Sequence, residues 1–415
     1  MDRIVISRRH AVAAGVMGAG VMGVALLSGC DAALEAPGIA DAPEITDRPG
    51  SSPVVENPDP EPTPAEKALA RMTLEQKVAQ LFFVTPEGLT GASVATVAGT
   101  LTADALAQIP VGGLVYFSQN LESAQQVRDL LSGTAALCRD AGAGIAPFLG
   151  VDEEGGPLVA RIANSGLFDV PRFPNMADIG ATGDPAQAAA VGTAIGTYLH
   201  DIGFNVDFAP DADVLTNPSN TAIGARAFGA DPSLVASMVA AEVEAMRETG
   251  ILPCVKHFPG HGDTAGDSHT GAVYAERLRV DIEACEFAPF RAAIDSGCPF
   301  VMVGHIETPN FAGDGLPASL SPVMMTDVLR GDLGFEGIVI SDSFAMGAIT
   351  QNYSPADAAV RFFQAGGDML LMPADLRAAY QGVLDAVHAG TLTEERVDES
   401  VLRILTAKDE AGLLA

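Results

Sequence analysis

The chain reads ILPCV at residues 251–255 and continues directly as KHFPGHGD at residues 256–263. The first segment is an apolar run of strand length. The second segment contains a proline and two glycines, and these residues exclude a helix because proline lacks the amide donor and glycine is entropically unfavourable there. Ionisable side chains therefore follow the end of a buried strand. This arrangement is typical of an α/β enzyme, whose functional groups lie at the carboxyl ends of its strands.

Seven further apolar runs of strand length occur along the chain, and alanine-rich, helix-like stretches separate most of them. Continuous apolar strands between helices indicate parallel strands that are covered on both faces. Eight such units predict an α/β fold, a (β/α)8 TIM barrel in a single catalytic domain, with a doubly wound open sheet as the alternative. The predicted strands are 81–84, 112–117, 147–152, 205–209, 252–257, 300–305, 337–342 and 368–372, and the predicted helices are 124–138, 185–201, 232–249, 282–296, 324–333 and 356–365.

Composition excludes some classes of function. The 415 residues carry a net charge of −30, whereas a nucleic-acid-binding protein is expected to show a basic surface. The chain has no tryptophan, so any stacking on a sugar ring must use phenylalanine, tyrosine or aliphatic side chains. Four cysteines beyond residue 30 show no CxxC spacing, which disfavours a thiolate zinc site. Cys285 and Cys298 could form a disulfide in an oxidising compartment, and buried free thiols are the alternative.

The N-terminus has the pattern of an export signal. Arginines precede an apolar run at 11–27, and LSGC at 27–30 resembles a bacterial lipobox in which Cys30 becomes the lipidated first residue. We therefore predict a signal peptide at 1–29 and an extracytoplasmic protein that a lipid on Cys30 anchors to the cell membrane. The pair Arg8 and Arg9 fits a twin-arginine signal or an ordinary Sec signal, and an uncleaved membrane anchor is a further alternative.

A proline-rich, acidic segment follows the predicted lipidation site. Residues 30–64 offer almost nothing to bury, so we predict an extended tether there. The catalytic domain is then predicted to span residues 65–415.

Several predicted strands end in polar residues. These groups can converge only if the strands are parallel and arranged in a ring, and such convergence indicates an enzyme. Each group taken alone would also fit a solvated strand end. The groups are DEEGG at 152–156, Asp207, Lys256 with His257, His305, and SDS at 341–343.

Two of the candidate groups suit glycoside chemistry. Asp342 follows a buried strand and has no adjacent base, so its carboxylate could act as a nucleophile or stabilise a cation. Asp267 lies two residues before His269 and could orient and charge the imidazole as a proton donor near neutral pH. A carboxylate and a proton donor on opposite sides of a bond meet the requirement for retaining glycoside hydrolysis.

Metal and serine-hydrolase sites are the competing interpretations. His257, His261 and His269 could supply metal ligands, but the glycines between them remove the helical spacing of a zinc site. No GxSxG motif is present, and Ser268 is too close in sequence to Asp267 and His269 to form a triad with both.

The chain resembles the β-N-acetylglucosaminidases of glycoside hydrolase family 3, which recycle peptidoglycan. KHFPGHG at 256–262 with DSH at 267–269 looks like the signature of that family, and the resemblance covers essentially residues 65–415. Five further motifs follow in family order: VGGLVYF at 111–117, VDEEGG at 151–156, DFAP at 207–210, GARAF at 224–228 and ISDS at 340–343.

The resemblance implies roles for individual residues. Asp342 would be the nucleophile that forms a covalent glycosyl-enzyme, and His269 would be the acid/base, assisted by Asp267 on a mobile loop. Glycines 260, 262 and 266 would suit hinges of such a loop. His305 matches a family position to which we assign no role. The implied sugar-binding residues are Asp152, Arg161, Arg226, Lys256 and His257, and neither a cofactor nor a metal is implied.

The sequence departs from the family pattern at a few positions. Pro157 stands where many relatives have arginine, and Arg161 lies one residue further along than the commonest spacing. The motif SDS at 341–343 has a serine where many relatives have a second aspartate, but the position of Asp342 itself is kept. Because the sequence ends near Ala415, we expect no C-terminal second domain of the kind that larger members carry. A His–Asp pair on a barrel loop would make that loss tolerable, since the acid/base is then not supplied by another domain.

The expected activity is that of an exo-acting, retaining β-N-acetylglucosaminidase. Its substrates would be cell-wall fragments with a non-reducing terminal GlcNAc, and we expect a monomer that is attached to the membrane and does not bind nucleic acid. A phosphorylase that transfers the same sugar to phosphate, a non-catalytic lipoprotein that binds muropeptides, and a glycosidase of another specificity are the alternatives.

Overall fold

The computed structural model describes residues 61–266 and 271–414, and eight of the strands in these ranges form one parallel sheet. Within the described ranges, no helix is long and apolar enough to cross a membrane. The strands are β1 (Phe82–Val84), β2 (Gly113–Val115), β3 (Phe148–Val151), β4 (Glu153–Gly155), β5 (Val159–Ala160), β6 (Val206–Asp207), β7 (Leu252–Phe258), β8 (Val273–Tyr274), β9 (Phe300–Val303), β10 (Ile306–Glu307), β11 (Ile338–Ser341) and β12 (Leu370–Leu371).

Helices cover the outside of the sheet, and most of them begin at a residue whose side chain caps the first turn. Asp231, for example, accepts hydrogen bonds from the first amides of its helix, where Pro232 needs no donor partner. The helices are α1 (Pro64–Leu69), α2 (Leu74–Gln80), α3 (Pro86–Thr90), α4 (Thr100–Leu106), α5 (Ala124–Ala141), α6 (Arg161–Ser165), α7 (Met176–Gly180), α8 (Pro185–Ile202), α9 (Pro232–Glu248), α10 (Arg279–Ala284), α11 (Phe287–Asp295), α12 (Gly347–Thr350), α13 (Pro355–Gln364), α14 (Leu376–His388) and α15 (Glu394–Glu410).

The parallel sheet closes on itself as a barrel. Its strand order is β11-β9-β7-β6-β3-β2-β1-β12, so neighbours in the sheet are also successive barrel strands in the sequence. The two ends of this order meet because Ile340 in β11 forms a parallel bridge with Met369, just before β12. The predicted (β/α)8 barrel is therefore confirmed, and the doubly wound alternative is wrong.

Aromatic rings fill the inside of the barrel. Phe83 packs against Phe148 and Phe208, with ring centroids 6.4 and 5.2 Å away. Gly113 in β2 and Gly150 in the adjacent strand β3 leave room for the Phe83 ring. An added Cβ atom would lie 2.6 Å from that ring at Gly113 and 2.8 Å from it at Gly150, so both positions require glycine. The barrel is thus a packed core, and a pocket can open only at its ends.

Two predicted helices differ from the observed structure. The predicted helix 282–296 is divided into α10 and α11, which are separated by Cys285 and Glu286, and Glu286 forms an ion pair with Arg277 at 2.5 Å. The predicted helix 324–333 is a π-helical segment, Val323–Asp332. At the start of the domain, Thr63 caps α1, so folded structure begins slightly before residue 65.

All four described cysteines are buried free thiols, including Cys285 and Cys298. The predicted signal peptide, Cys30 and the tether up to residue 60 lie outside the described residues.

Candidate active site

A pocket of about 390 Å³ opens at the carboxyl ends of the barrel strands. Phe117, which follows β2, is the first lining residue in the sequence. Other lining residues lie at the ends of β3, β7, β9, β11 and β12, so most of the barrel strands contribute residues to the pocket. Both ionic and apolar side chains line it. The lining residues are Phe117, Asp152, Glu154, Val159, Arg161, Arg226, Lys256, His257, Met302, Asp342, Ser343, Ala345, Met346, Leu371 and Met372.

Lys256, near the end of β7, lies at the centre of the ionic lining residues. Its ammonium lies 2.9 Å from Asp152 and 2.6 Å from Glu154, and its side chain is 3% exposed. Arg226, from the short 3-10 turn Gly224–Arg226, binds Glu154 through two hydrogen bonds of 2.7 Å. The buried Lys256 and the half-buried Arg226 thus share one buried carboxylate, which fixes all three side chains in position.

Burial and mutual attraction oppose each other in this cluster. Burial disfavours the charge on Lys256, but Asp152 and Glu154 raise the pKa of its ammonium above the usual value. Burial likewise disfavours the charge on Glu154, yet Lys256 and Arg226 hold the pKa of that carboxyl far below its usual range. The cluster therefore remains ionised at neutral pH and presents fixed hydrogen-bonding groups to the pocket.

Asp342 lies at the end of β11, and its side chain reaches the floor of the pocket. The amide of Ser343 donates a hydrogen bond of 2.7 Å to one carboxylate oxygen. Burial by itself would raise the pKa of the Asp342 carboxyl, but His305 and His257 nearby keep it below its usual value. The carboxylate is therefore charged and available as a nucleophile, as that role requires.

His305 supports the turn that carries Asp342. Its Nε2 lies 2.9 Å from the carbonyl oxygen of Ser343, and its Nδ1 lies 2.7 Å from the hydroxyl of Ser319. Since a carbonyl oxygen can only accept, Nε2 carries a proton. The imidazole is buried beside the ring of Phe344, so it orients the turn after β11.

His257 pairs with a carboxylate from the loop that follows β6. Its Nδ1 lies 2.8 Å from Asp213, which is fully buried. Asp211, two residues earlier, lies 3.5 Å from Arg226, and burial together with the charge of Asp213 raises the pKa of the Asp211 carboxyl to about 8.

Asp211, Asp213 and His257 are close enough to hold a metal ion. Nδ1 of His257 is already engaged by Asp213, and Arg226 places a positive charge beside Asp211, so we assign no metal here.

Arg161, the first residue of α6, directly follows the antiparallel hairpin of β4 and β5 and lines the pocket. Its guanidinium lies 5.7 Å from the ring centroid of Phe117, and its buried Nε has no hydrogen-bond partner among the described residues. Phe117 is thus the aromatic side chain that lines the pocket in a chain without tryptophan. The hairpin contains a register shift between Glu153 and Gly155, and Glu154 between them lines the pocket.

The segment that carries the predicted acid/base pair is described only in part. Asp267 and His269 lie outside the described residues, and their roles stay predictions. Gly260 and Gly262 are packed closely rather than placed as free hinges, because added Cβ atoms would lie 2.5 Å from Glu286 and 2.0 Å from the carbonyl of Val214. A hinge, if present, begins after these residues, and Gly266 is the remaining predicted position.

The structure brings six of the sequence-predicted site residues into one pocket: Asp152, Arg161, Arg226, Lys256, His257 and Asp342. Their individual roles stay predictions. Asp207, a predicted strand-end group, is instead fully buried and accepts a hydrogen bond from the Glu153 amide, so its function is structural.

Sequence reasoning left three of the charged residues here without a role. Glu154 was part of a quoted motif, whereas Asp211 and Asp213 were not singled out. Both aspartates follow Asp207 and Pro210 directly after a strand. The other candidate groups were predicted because polar residues at the carboxyl ends of barrel strands converge. The same argument could have identified Asp211 and Asp213.

Comparison with known proteins identifies the family. The model of the glycosyl hydrolase family 3 N-terminal domain matches residues 73–407. β-Hexosaminidase A from Pseudoalteromonas piscicida is 32% identical over 347 residues, which are 78% of this chain and 57% of that protein. β-Hexosaminidase LpqI from Mycobacterium bovis is 35% identical over 280 residues, 65% of this chain and 70% of the relative.

A solved structure supports the same conclusion. The family 3 β-N-acetylglucosaminidase from a Paenibacillus species has 35% sequence identity and a TM-score of 0.77, over 82% of this chain and 63% of that one. The chain thus spans less than two thirds of two of these three relatives. With the barrel, the pocket and the matched motifs in agreement, the chain belongs to glycosyl hydrolase family 3, where its relatives are β-hexosaminidases.

Proposed function

We propose that the protein is an exo-acting, retaining β-N-acetylhexosaminidase. The observation that carries this proposal is the charged Asp342 carboxylate at the floor of a pocket whose side wall is a fixed cluster of cations and carboxylates. Such a wall can donate and accept several hydrogen bonds at once, as recognition of a pyranose requires. The printed names of the relatives, β-hexosaminidase and β-N-acetylglucosaminidase, favour an N-acetylated sugar.

In the proposed mechanism, the sugar binds with its anomeric carbon above Asp342. A carboxylate oxygen attacks that carbon while His269, charged by Asp267, donates a proton to the leaving oxygen. The C–O bond to the aglycone breaks, and a glycosyl ester of Asp342 forms. His269 then removes a proton from water, which attacks the same carbon and releases the sugar with retained configuration.

The proposed natural substrates are cell-wall fragments with a non-reducing terminal GlcNAc. The proposed location is extracytoplasmic, with a lipid on Cys30 as membrane anchor. Support for both comes from the sequence: the lipobox-like LSGC at 27–30, the proline-rich segment after it, and the resemblance to peptidoglycan-recycling enzymes.

A panel of aryl β-glycosides tests the activity. We expect turnover of the β-GlcNAc compound, little turnover of the β-glucoside, and loss of at least about 10⁴-fold in kcat for Asp342→Ala, since the covalent pathway then has no nucleophile. Asp327→Ala is a suitable control, because this aspartate lies on the outer π-helical segment and lines no part of the pocket. Wild-type turnover by the Asp342 variant would contradict the proposal.

Phosphate as the acceptor is the second candidate. A histidine acid/base repels an incoming phosphate less than a carboxylate would, so the same covalent intermediate could be released as a sugar phosphate. The panel is therefore run with and without inorganic phosphate. Free GlcNAc in both buffers supports the hydrolase, GlcNAc-1-phosphate supports the phosphorylase, and binding without turnover in either buffer supports a non-catalytic muropeptide-binding protein.

A further inference from the structure

Besides the predicted pair on the loop, the structure contains a second His–Asp pair, in which His257 lines the pocket and Asp213 is buried. We propose that Asp213 is a positioning residue that holds His257, and the turn to which His257 belongs, against the sugar pocket. This inference rests on the proposed function, because it concerns how the sugar site is built.

The first observation concerns the imidazole. Asp213 Oδ2 lies 2.8 Å from Nδ1 of His257, and Asp213 is fully buried. Charge from His257 and hydrogen bonds offset the cost of burial, so the pKa of the Asp213 carboxyl falls to about 2. An ionised carboxylate can only accept, so Nδ1 of His257 always carries a proton. The ring therefore has one orientation, which leaves Nε2 as the polar atom available to the pocket.

The second observation concerns the backbone. The other oxygen of Asp213 accepts the amide of His261 at 2.6 Å and approaches the amide of His257 at 3.4 Å. The first amide belongs to the end of β7 and the second follows Pro259 and Gly260, so the two lie on either side of the turn. One carboxylate thus ties together the imidazole and both sides of the turn, across 44 to 48 residues of sequence.

The third observation is the surroundings of Nε2. His257 lines the pocket at 7% exposure, and its Nε2 has no hydrogen-bond partner among the described residues. Burial lowers the pKa of His257, but Asp213 reverses this and raises it above the usual value. A protonated ring donates from Nε2 to a sugar oxygen and also faces the nucleophile. The charged and titratable groups around the ring are Asp211, Asp213, Arg226, Lys256, His261 and Asp342.

The first test measures the ring directly. NMR titration of the protein labelled with ¹⁵N-histidine gives the pKa of His257, which His257→Gln assigns. We expect a value above about 6.5 in the wild type. In Asp213→Asn we expect a lower value, because burial then acts without the carboxylate. A wild-type value below the usual range, or an unchanged value in the variant, would overturn the proposal. Neither result depends on turnover, so failure of the proposed function would be seen separately.

Asp211→Asn is the matched control. It makes the same change of carboxyl to amide two residues away, on a side chain that contacts Arg226 rather than His257. At neutral pH the Asp211 carboxyl is largely protonated, so the amide resembles it. The shift of the His257 titration in Asp211→Asn should be clearly smaller than in Asp213→Asn. An equal shift would argue against a specific role of Asp213.

The second test separates positioning from general support of the structure. With a 2,4-dinitrophenyl β-GlcNAc, the aglycone departs without acid assistance. The fall of kcat/KM at alkaline pH, the alkaline limb of its pH profile, then no longer reports the deprotonation of His269. We expect Asp213→Asn to lower kcat/KM by about 10- to 100-fold, mainly through KM, and to move that limb to lower pH.

The double variant decides between the two explanations. If Asp213 acts through His257, then Asp213→Asn with His257→Gln should be within about twofold of His257→Gln alone. If instead the loss of kcat/KM in the double variant equals the product of the losses in the two single variants, Asp213 acts independently of His257. That result would show a merely structural role and would overturn the proposal. If Asp213→Asn does not fold, the wild-type titration of His257 still decides.

Discussion

At the scale of single residues, burial of charge has opposite outcomes at the two ends of the barrel. In the pocket, Lys256 is compensated by two carboxylates. At the other end, the fully buried ammonium of Lys408 has, within the described ranges, only an uncharged hydrogen-bond partner, Gln80 Oε1 at 2.7 Å, and lies 5.0 Å from the ring centroid of Phe148. Burial without a counter-charge lowers the pKa of Lys408 to about 7. Of these two buried lysines, only Lys256 has carboxylates that stabilise its charged form.

Lys408→Met should therefore stabilise the protein at neutral pH. The pKa of Lys408 is lower in the folded than in the unfolded chain, so the unfolded chain binds more protons between about pH 7 and pH 10. Wild-type stability should rise with pH across that window through this residue, and the gain in Lys408→Met should be largest near pH 7 and vanish near pH 10. We expect the melting temperature at pH 7 to rise by about 2 to 4 °C for each kcal/mol gained.

Thermal unfolding at several pH values, followed by circular dichroism, measures this effect. Lys77→Met is the matched control, and its effect on the melting temperature should be opposite. Lys77 has two carboxylate partners that the substitution removes, Glu394 at 2.9 Å and Asp398 at 2.7 Å. The substitution should lower the melting temperature slightly. A loss of stability in Lys408→Met at pH 7 would show that the ammonium is compensated in the folded protein.

At the scale of elements, local patterns predicted the strands well and the irregular segments less well. All eight barrel strands could be located because strands buried on both faces are continuous apolar runs. The division between α10 and α11 could not be predicted, since it coincides with the ion pair of Glu286 with Arg277. For the same reason the pairing of Asp213 with His257 was missed, because it joins residues 44 positions apart that only the barrel brings together.

Gly262→Ala tests how tightly the turn after β7 is packed. The added Cβ atom would lie 2.0 Å from the carbonyl oxygen of Val214, a contact with backbone that no side-chain rotation can relieve. The turn must then move, together with the Asp213 contacts on either side. We expect a loss of about 1 to 3 kcal/mol in stability and a fall in kcat/KM.

Gly99→Ala provides the comparison for this variant. Its nearest atom to an added Cβ is 3.9 Å away, on the side chain of Val97, and it lies outside the pocket. Steady-state kinetics should be unchanged there. Wild-type kinetics and stability in Gly262→Ala would contradict the view that this turn is held by close packing.

At the scale of the whole molecule, the two ends of the barrel differ in function. The candidate active-site pocket lies at the carboxyl ends of the strands, whereas α1 begins near Ile145 and Leu414, at the opposite end. A larger cavity of about 620 Å³ also lies at that opposite end, among the starts of β7 and β11. Glu336, Glu399 and Glu410 are among its lining residues, but none of the sequence-predicted site residues is, so size alone does not mark the candidate active site.

Capture of the covalent intermediate is the most direct test of the account. A 5-fluoro β-GlcNAc fluoride should form a slowly hydrolysed ester, and peptide mapping by mass spectrometry should locate the sugar on Asp342. His269→Ala should still become labelled, since fluoride departs without acid assistance. A label on another carboxylate, or turnover with inversion at the anomeric carbon and no label, would contradict the assignment of Asp342 as nucleophile.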